Sequence, residues 1–333
     1  MAILVTGAAG FVGYHVVCAL LARGDAVIGV DNLNDYYDVR LKRARLAQLD
    51  GVPGFRFEAL DVSDRAAMLA LVQRENGMSG IVHLAAQAGV RYSLIDPYAY
   101  VQANVMGHLV MQEAARRLPA LAHFVYASSS SVYGANRKLP FAEDDAVDTP
   151  ISLYAATKRA DELMSHAYGH LFGLPQTGLR FFTVYGPWGR PDMAYFQFAR
   201  AIVEGEPITV FDGGGTLRRD FTYIDDIVDG VLGVLDRPPP PEAPARLLNI
   251  GNSRNEEVRT LIRLLEQALG RAAIVRSVPR PAIDVEETFA SIDAIAALTG
   301  FVPKTALEVG IPRFVAWFLE WRAIAAEKHG LTA

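Results

Sequence analysis

The sequence contains a single cysteine, Cys18, among 333 residues, so no disulfide can form within the chain. It lacks any run of the roughly 18 consecutive apolar residues that a membrane-spanning helix requires. It also lacks an excess of positive charge, and a formal net charge of -5 offers no long-range attraction to nucleic acid or anionic membranes. The apolar segment 2–6 has no basic flank, so we expect no secretion signal. These absences predict a cytoplasmic protein without nucleic-acid or membrane partners, and no metal site is predicted.

The sequence does have ample material for a hydrophobic core, since 51% of its residues are hydrophobic. In the first half, short apolar segments alternate with segments of helical periodicity. Strands alternating with helices, each strand apolar throughout, predict an α/β fold with a doubly wound parallel sheet of the Rossmann type. The predicted strands are 2–6, 26–30, 55–60, 81–85, 123–128 and 177–182, and the predicted helices are 12–23, 66–75, 101–117 and 153–172.

The last third has few predicted strands, with helices expected at 256–269, 290–299 and 309–326. We therefore predict a smaller, mostly helical C-terminal lobe beside the sheet. In doubly wound sheets, ligands bind at the carboxyl ends of the strands, so functional residues are expected there. The predicted division assigns 1–184 and 221–251 to the Rossmann domain, and 185–220 and 252–333 to the lobe.

The first predicted strand leads directly into TGAAGFVG, which places Gly7, Gly10 and Gly13 at a strand-to-helix turn. Glycines allow the backbone to approach a pyrophosphate, whose charge is favoured at a helix N-terminus. The spacing is GxxGxxG instead of the standard GxGxxG, and such a triplet alone can be an ordinary turn. Its position after a strand and before a helix favours a dinucleotide site.

An acidic residue, Asp31, follows the second predicted strand. Its carboxylate would accept hydrogen bonds from the adenosine ribose and repel a 2′-phosphate, which favours NAD over NADP. Arg40 and Lys42 lie further along the chain, so a pocket that tolerates the phosphate stays open. Asp61 and Val62, after the third strand, are predicted to flank the adenine.

Tyr154 and Lys158 stand four residues apart in YAATK at the start of a predicted helix, so both side chains lie on one face. A tyrosine with the ordinary pKa near ~10 is a poor base at neutral pH, whereas a neighbouring ammonium stabilises the phenolate. Alone, this spacing is common on helix surfaces and can reflect packing. Together with the glycine turn upstream, it indicates a catalytic tyrosine in an NAD-dependent enzyme.

Five motifs occur in order along the chain: TGAAGFVG, HLAAQAGVRYS, ASSSSVYG, YAATK and RFFTVYGP. Together they resemble the extended short-chain dehydrogenase/reductase family, which contains nucleotide-sugar epimerases, dehydratases and decarboxylases. DNLNDYYDVRLKRARL (31–46) and RFFTVYGPWGRPDM (180–193) are most similar to the UDP-glucuronate 4-epimerases within it. The resemblance implies an isomerase that keeps NAD bound and converts UDP-glucuronate to UDP-galacturonate through a transient 4-keto sugar. It also implies a UDP-sugar-binding C-terminal lobe and a homodimer formed through two long helices per subunit.

The resemblance also assigns roles to individual residues. The family's catalytic serine or threonine precedes the valine of VYG by three residues, which is Ser129 here, and it would assist Tyr154 and Lys158. The implied cofactor-binding residues are Gly7, Gly10, Phe11, Val12, Gly13, Asp31, Asn32, Asp61, Val62, Leu84, Ala85, Ala86, Asn104, Ser128, Tyr154 and Lys158. The implied substrate-binding residues are Arg91, Ser129, Ser130, Ser131, Thr183, Arg190, Arg219 and Asp284.

Single positions of the sequence bear on which of the family's activities this chain has. Dehydratases carry Asp-Glu where this chain has Ser130 and Ser131, and hydroxyls cannot replace two titrating carboxylates. Thr183 favours a uronate, because neutral-sugar epimerases typically carry asparagine there, and Arg190 could bind the carboxylate bidentately. A UDP-glucuronate decarboxylase, a UDP-glucose/galactose 4-epimerase and a non-catalytic NAD-binding scaffold stay open. The family's Gly-Asp pair is missing around Asp284, which leaves its role open too.

Overall fold

The computed structural model describes residues 2–212, 216–281 and 285–327. The strands of these residues are β1 (Ala2–Thr6), β2 (Ala26–Val30), β3 (Phe55–Glu58), β4 (Met78–His83), β5 (His123–Ser129), β6 (Gln176–Phe181), β7 (Thr183–Tyr185), β8 (Pro207–Val210), β9 (Arg218–Arg219), β10 (Phe221–Tyr223), β11 (Ala245–Ile250), β12 (Glu256–Glu257) and β13 (Ile274–Ser277). The helices are α1 (Phe11–Ala22), α2 (Val39–Ala47), α3 (Arg65–Arg74), α4 (Pro97–Tyr100), α5 (Gly107–Ala115), α6 (Leu153–Phe172), α7 (Ala194–Glu204), α8 (Ile224–Leu235), α9 (Val258–Leu269), α10 (Asp293–Thr299) and α11 (Leu307–Glu327). Shorter helical turns lie at Arg91–Leu94, Val101–Met106 and Ser130–Tyr133.

Seven parallel strands form the central sheet in the spatial order β11-β6-β5-β4-β1-β2-β3. β1 lies between β2 and β4, with Thr6 opposite Val30 on one side and His83 on the other. The chain therefore runs outward from β1 in both directions, and a crevice opens at the carboxyl edge where the strand order reverses. The predicted doubly wound parallel sheet is confirmed.

The central strands are buried on both faces, which explains why they are apolar throughout. In β1, Ile3 and Val5 join the core shared with α1 and α8, while Leu4 joins the opposite core under α3 and α5. Alternate residues of a strand point to opposite faces, so an uninterrupted apolar run can fill both cores.

β4 begins and ends earlier than the predicted strand at 81–85. Met78 is fully buried at its start and pairs with Ala2, whereas the ladder ends at His83. The apolar Leu84 lies just beyond the strand end. An apolar run cannot show by itself where strand pairing stops, because residues beyond a strand end can be buried as well.

Two predicted helices are also less regular than their sequence patterns suggest. The segment predicted as one helix at 101–117 begins with the wider π-helical turn Val101–Met106 and continues as α5. The helix predicted from residue 290 begins only at Asp293. Ala290 instead forms a parallel bridge with Phe141 and donates its N–H to the buried carboxylate of Asp220 at 3.1 Å.

The C-terminal third contributes to both parts of the molecule. β11 joins the central sheet beside β6, and α8 packs on α1. α7, α9 and α11 pack against one another outside the sheet, near the strand pairs β8–β13 and β9–β12, and form the smaller, mostly helical lobe. The division at residue numbers stays a prediction. Every helix in the described part of the chain is too short or too polar to cross a bilayer.

Candidate active site

A cleft of about 400 Å³ opens at the carboxyl edge of the sheet, beside the reversal of strand order. Its walls come from strand ends and loops that are distant in the sequence. The structure thereby brings most positions predicted for cofactor binding, catalysis and sugar binding to one place. Those in the lining are Gly7, Gly10, Phe11, Val12, Gly13, Asp31, Asn32, Asp61, Val62, Leu84, Ala85, Ala86, Ser128, Ser129, Ser130, Ser131, Tyr154, Lys158, Thr183 and Arg190.

The glycine turn between β1 and α1 leaves no room for side chains. Gly7 has a φ of +72°, and a β-carbon on Gly13 would lie 2.0 Å from the Gly7 carbonyl oxygen. Gly10 precedes α1 without a side-chain hydrogen bond to the first-turn N–H groups, and Phe11 and Val12 line the cleft. A bare helix N-terminus against a close backbone turn suits a pyrophosphate, so the residues present fit the predicted dinucleotide.

Asp31 lies in the cleft lining beside the glycine turn and is largely buried. Its carboxylate accepts the backbone N–H of Ala9 at 3.2 Å and of Leu33 at 2.8 Å. These bonds fix the carboxylate and still leave acceptor capacity, because an ionised carboxylate has about four lone-pair sites. The position fits a group that accepts hydrogen bonds from ribose hydroxyls.

The two cations that follow Asp31 have different surroundings. Arg40 is paired with Asp38 on the surface, and its side chain is 58% exposed. Lys42 lies in the cleft lining with its ammonium 3.7 Å from the Asp31 carboxylate. Burial lowers the pKa of Lys42, although Asp31 opposes that effect. Of these two cations, Lys42 is the one that lines the cleft, where it donates to Asn34 at 2.8 Å and lies beside the carboxylate that is predicted to disfavour a 2′-phosphate.

Ser129, Tyr154 and Lys158 come from two adjacent elements. Ser129 is the last residue of β5, and the other two lie one turn apart near the start of α6. Ser152 caps this helix by accepting the N–H of Ala155 at 3.1 Å. All three predicted catalytic residues line the cleft. A hydroxyl, a phenol and an ammonium at one site can bind a sugar hydroxyl and move its proton.

The four consecutive serines have separate surroundings. Ser128 donates its hydroxyl to Glu162 at 2.7 Å, so it is directed toward α6. Ser129 accepts the N–H of Ser131 and donates to its hydroxyl, both at 3.1 Å. Ser130 and Ser131 begin the turn after β5 and line the cleft. The run is thus an ordered strand end and not a linker.

A buried ion pair that sequence reasoning missed lies beside the predicted catalytic residues. Arg180 of β6 donates to Glu162 of α6 through Nε at 2.8 Å and Nη2 at 3.0 Å, and both side chains are at most 1% exposed. Arg180 also donates to the Tyr133 hydroxyl at 3.0 Å. These bonds hold α6 against the ends of β5 and β6. The available signal was a charged residue inside the apolar strand predicted at 177–182.

Arg190 lies in the cleft lining and contacts Asp192 through two hydrogen bonds, from Nε at 3.0 Å and from Nη2 at 2.7 Å. Tyr36 donates its hydroxyl to the same carboxylate at 3.2 Å, so the loop after β2 contacts the loop after β7. Burial acts to lower the pKa of Arg190, but Asp192 outweighs it and the pKa is raised. The guanidinium is a permanent cation that can meet an anionic group of a ligand.

Arg45 of α2 joins the glycine turn to the loop that carries Arg190. It is fully buried and donates to the carbonyls of Ala9 at 2.8 Å, Trp188 at 2.6 Å and Gly189 at 3.3 Å. Trp188 has a φ of +60°, a conformation that non-glycine residues rarely adopt, and the hydrogen bonds to its carbonyl help to hold it. Sequence reasoning missed Arg45, because a basic run on a helix predicts a solvent-exposed face.

Asn104, predicted to bind the cofactor, lies beside the cleft and outside its lining. It accepts the N–H of Gln87 at 2.8 Å, donates to the carbonyl of that residue at 3.1 Å and donates to Thr157 Oγ1 at 3.0 Å. These bonds occupy both ends of the amide. A contact of Asn104 with the cofactor stays a prediction, and the hydrogen bonds of its side chain fasten the π-helical turn 101–106 to α6 and to the loop after β4.

Two arginines predicted to bind substrate also lie outside the lining. Arg91 stacks its guanidinium on the Phe211 ring, 3.7 Å from the centroid. Arg219 is used within its own lobe, where it holds neighbouring backbone segments. The carbonyls that accept its hydrogen bonds are those of Arg218 (2.7 Å), Val285 (2.8 Å) and Glu286 (2.9 Å). Asp284, predicted for the same purpose, lies outside the described residues.

The substitution Gly13→Ala tests the glycine turn. Its β-carbon would overlap the Gly7 carbonyl, so the turn must open, and we expect the purified variant to retain less than about a tenth of the wild-type NAD. Nucleotide extracted from the denatured protein is quantified by chromatography. Gly77→Ala is the control, because no atom lies within 4 Å of its β-carbon. Wild-type NAD content in Gly13→Ala would contradict this placement of the pyrophosphate.

Comparison with known proteins gives a consistent result. The chain is 46% identical over 333 residues to the probable UDP-glucuronate 4-epimerase of Rhizobium meliloti, covering 96% of this chain and 97% of that protein. It is 48% identical over 330 residues to UDP-glucuronate 4-epimerase 3 of Arabidopsis thaliana, covering 95% and 76%. The crystal structure of UDP-glucuronic acid 4-epimerase from Bacillus cereus, in complex with UDP-glucuronic acid and NAD, matches with a TM-score of 0.89 at 33% identity and covers 96% of this chain and 100% of that one. Residues 3–251 match the model of the NAD dependent epimerase/dehydratase family, so this chain belongs to that family.

Proposed function

We propose that this protein is a 4-epimerase that keeps NAD bound and interconverts UDP-glucuronate and UDP-galacturonate. The observation that carries the proposal is one cleft that unites the glycine turn, the Ser129–Tyr154–Lys158 set and the cationic Arg190. The names of the Rhizobium and Arabidopsis relatives support it, as does the Bacillus structure that holds UDP-glucuronic acid together with NAD. The enzyme is accordingly an isomerase.

The proposed chemistry moves one proton away from the sugar and back again. Bound NAD supplies the acceptor and later the donor of the hydride at C4 of the sugar. Tyr154 takes the proton of the 4-hydroxyl as that carbon becomes a ketone, while Ser129 hydrogen-bonds the same oxygen. Lys158, one helical turn away, stabilises the phenolate by its charge. After the 4-keto sugar has rotated and regained the hydride on its other face, Tyr154 returns the proton to the 4-oxygen. The reaction therefore involves no net oxidation.

The carboxylate of the sugar requires its own binding groups. A 4-keto uronate is a β-keto acid, which loses carbon dioxide when the breaking bond aligns with the carbonyl π system. Arg190, Thr183, Ser130 and Ser131 all line the cleft and supply one cation and three hydroxyls. Donors that hold the carboxylate out of that alignment favour epimerisation over decarboxylation.

A time course in which UDP-glucuronate is followed by NMR, without added NAD, tests the activity. We expect UDP-galacturonate to accumulate to a stable ratio, because a retained cofactor is regenerated in each cycle. Tyr154→Phe is expected to reduce the rate at least about a thousandfold, since it removes the group that transfers the proton. A pentose product with carbon dioxide would replace the proposal with a decarboxylase. Retained NAD with no turnover of any nucleotide sugar would replace it with a scaffold.

Arg190→Met tests recognition of the carboxylate. Losing a charged hydrogen-bond donor should lower kcat/KM for UDP-glucuronate about a hundredfold while changing kcat/KM for UDP-glucose less than about threefold. Arg200→Met is the control, since that side chain is 54% exposed on α7. Equal losses on both sugars would show that Arg190 does not bind the carboxylate. If UDP-glucose is the better substrate and Arg190→Met leaves its turnover unchanged, the protein is a neutral-sugar epimerase.

The remaining assignments are part of the same proposal. The Rossmann domain, 1–184 with 221–251, would bind NAD, and the lobe of 185–220 and 252–333 would bind the UDP moiety. Within the lobe, Arg219 remains a proposed neighbour of the pyrophosphate. The single cysteine and the absence of a spanning helix among the described residues are compatible with the proposed cytoplasmic location.

A homodimer is proposed through the two helical segments 101–117 and 153–172. Large apolar side chains are exposed on these elements, and contiguous exposed apolar patches commonly mark protein interfaces. The exposed residues are Val101 (48%), Met106 (43%), Leu163 (55%), Leu171 (66%) and Phe172 (50%), and Leu94 (67%), Ile95 (75%) and Tyr98 (84%) lie just before the first segment.

Analytical ultracentrifugation should therefore give twice the 36.3 kDa chain mass. We expect Leu163→Glu to shift the protein toward the monomer, because a buried charge opposes association. Leu319→Glu, on an exposed position of α11, is the matched control and should leave the mass unchanged. A wild-type monomer, or an unaltered dimer in Leu163→Glu, would contradict this interface.

A further inference from the structure

The catalytic ammonium is already bound by another charged group. Lys158 Nζ donates to the Ala127 carbonyl and to Asp161 Oδ2, each at 3.1 Å. The side chains of the Lys158–Asp161 pair are 5% and 1% exposed. The ammonium proposed to stabilise the phenolate of Tyr154 is therefore partly neutralised by a buried carboxylate on the same helix.

This carboxylate is energetically unfavourable where it lies. In the part of the chain that the structure describes, Asp161 Oδ1 is buried without a hydrogen-bond partner. Burial raises the pKa of Asp161 to about 6, although Lys158 opposes that effect. A buried carboxylate with one unsatisfied oxygen destabilises the fold, and its single strong contact is with Lys158. Asp161 itself lies outside the lining of the cleft.

We propose that Asp161 is a positioning residue for Lys158: its carboxylate holds the ammonium at the floor of the cleft and reduces the positive charge that reaches Tyr154. The proposal rests on the proposed function. It implies that Asp161 sets the pH range in which Tyr154 can act as a base, because one negative charge less beside the ammonium would favour the phenolate.

The other groups around Asp161 do not account for such an effect. His83 and His108 are buried and stay neutral, since burial lowers the pKa of His83 to about 3 and that of His108 well below its ordinary value. The charge of Glu162 is bound by Arg180 at 2.8 Å and by Arg159 at 3.0 Å. Among the described residues, the charged and titratable groups that face Asp161 are Lys158 and Glu162 on α6, His108 on α5 and Tyr126 on β5, while His83 on β4 faces Lys158. Tyr154 in turn faces Arg190 and Tyr100, which Asp161→Asn leaves unchanged.

Asp161→Asn is the principal test, because asparagine keeps an oxygen for the ammonium and removes the charge. We expect the acidic limb of kcat, plotted against pH, to move about one unit lower, with KM for UDP-glucuronate changed less than about twofold. Asp161→Ala should move the limb in the same direction and lower the plateau as well, since the ammonium also loses its acceptor. Asp236→Asn is the control: it removes a carboxylate from an exposed pair with Arg23 and should not move the limb.

A titration of tyrosinate absorbance, taken as the difference between each protein and its Tyr154→Phe counterpart, gives a second readout that needs no turnover. We expect the phenolate to form at lower pH in Asp161→Asn than in the wild type. If the wild type does not epimerise UDP-glucuronate, the proposed function fails while this titration still decides the role of Asp161. An unmoved phenolate titration, or a uniform loss of kcat with an unmoved acidic limb, overturns the inference and leaves Asp161 a structural residue.

Discussion

The buried ion pair between Arg180 and Glu162 determines where the proposed catalytic residues can lie, because it joins α6 to β6 of the central sheet. Glu162 receives two bonds from Arg180 and a third from Ser128, the residue just before Ser129. α6 also carries Tyr154 and Lys158, so this one carboxylate fixes the helix relative to the serine strand. Removing one partner of such a pair leaves an uncompensated buried charge, which typically destabilises a protein by about 3–5 kcal/mol. This fixed position of α6 suits the proposed chemistry, in which Ser129 and Tyr154 bind the same oxygen of the sugar.

The charges in the cleft follow a common pattern. Each cation in the described lining has a carboxylate partner from the protein itself, so the cleft does not depend on a ligand to balance buried positive charge. The positions of these cations are therefore set before a negatively charged ligand binds. Ligand recognition then depends more on the geometry of the cations than on the net charge of the cleft. The three pairs are Lys42–Asp31, Lys158–Asp161 and Arg190–Asp192.

The sequence was informative where function follows from local spacing. Apolar strands alternating with helices were sufficient for the doubly wound sheet. The spacing of Tyr154 and Lys158 predicted a catalytic pair at a helix start, the family resemblance implied Ser129, and the structure places all three in one cleft. The side chains that hold the cleft together could not be predicted, because tertiary structure determines their partners. Arg45, for example, donates to a carbonyl 143 residues away. The sequence likewise did not show that Asn104 holds its neighbours, because the hydrogen bonds of a buried amide are set by the tertiary structure. Strand and helix ends were also shifted, because an apolar pattern does not mark where hydrogen-bond pairing stops.

The guanidinium of Arg45 has a consequence for protein engineering. Because it holds the turn after β1 and the loop at Trp188 at the same time, these two segments are not independent modules. A chimaera that exchanges residues 186–193 between relatives, in order to alter sugar preference, must keep the register of α2 so that an arginine still reaches both carbonyls. Without it, the transplanted loop would lose the support for its left-handed residue, and the grafted specificity would be missing for reasons unrelated to the sugar.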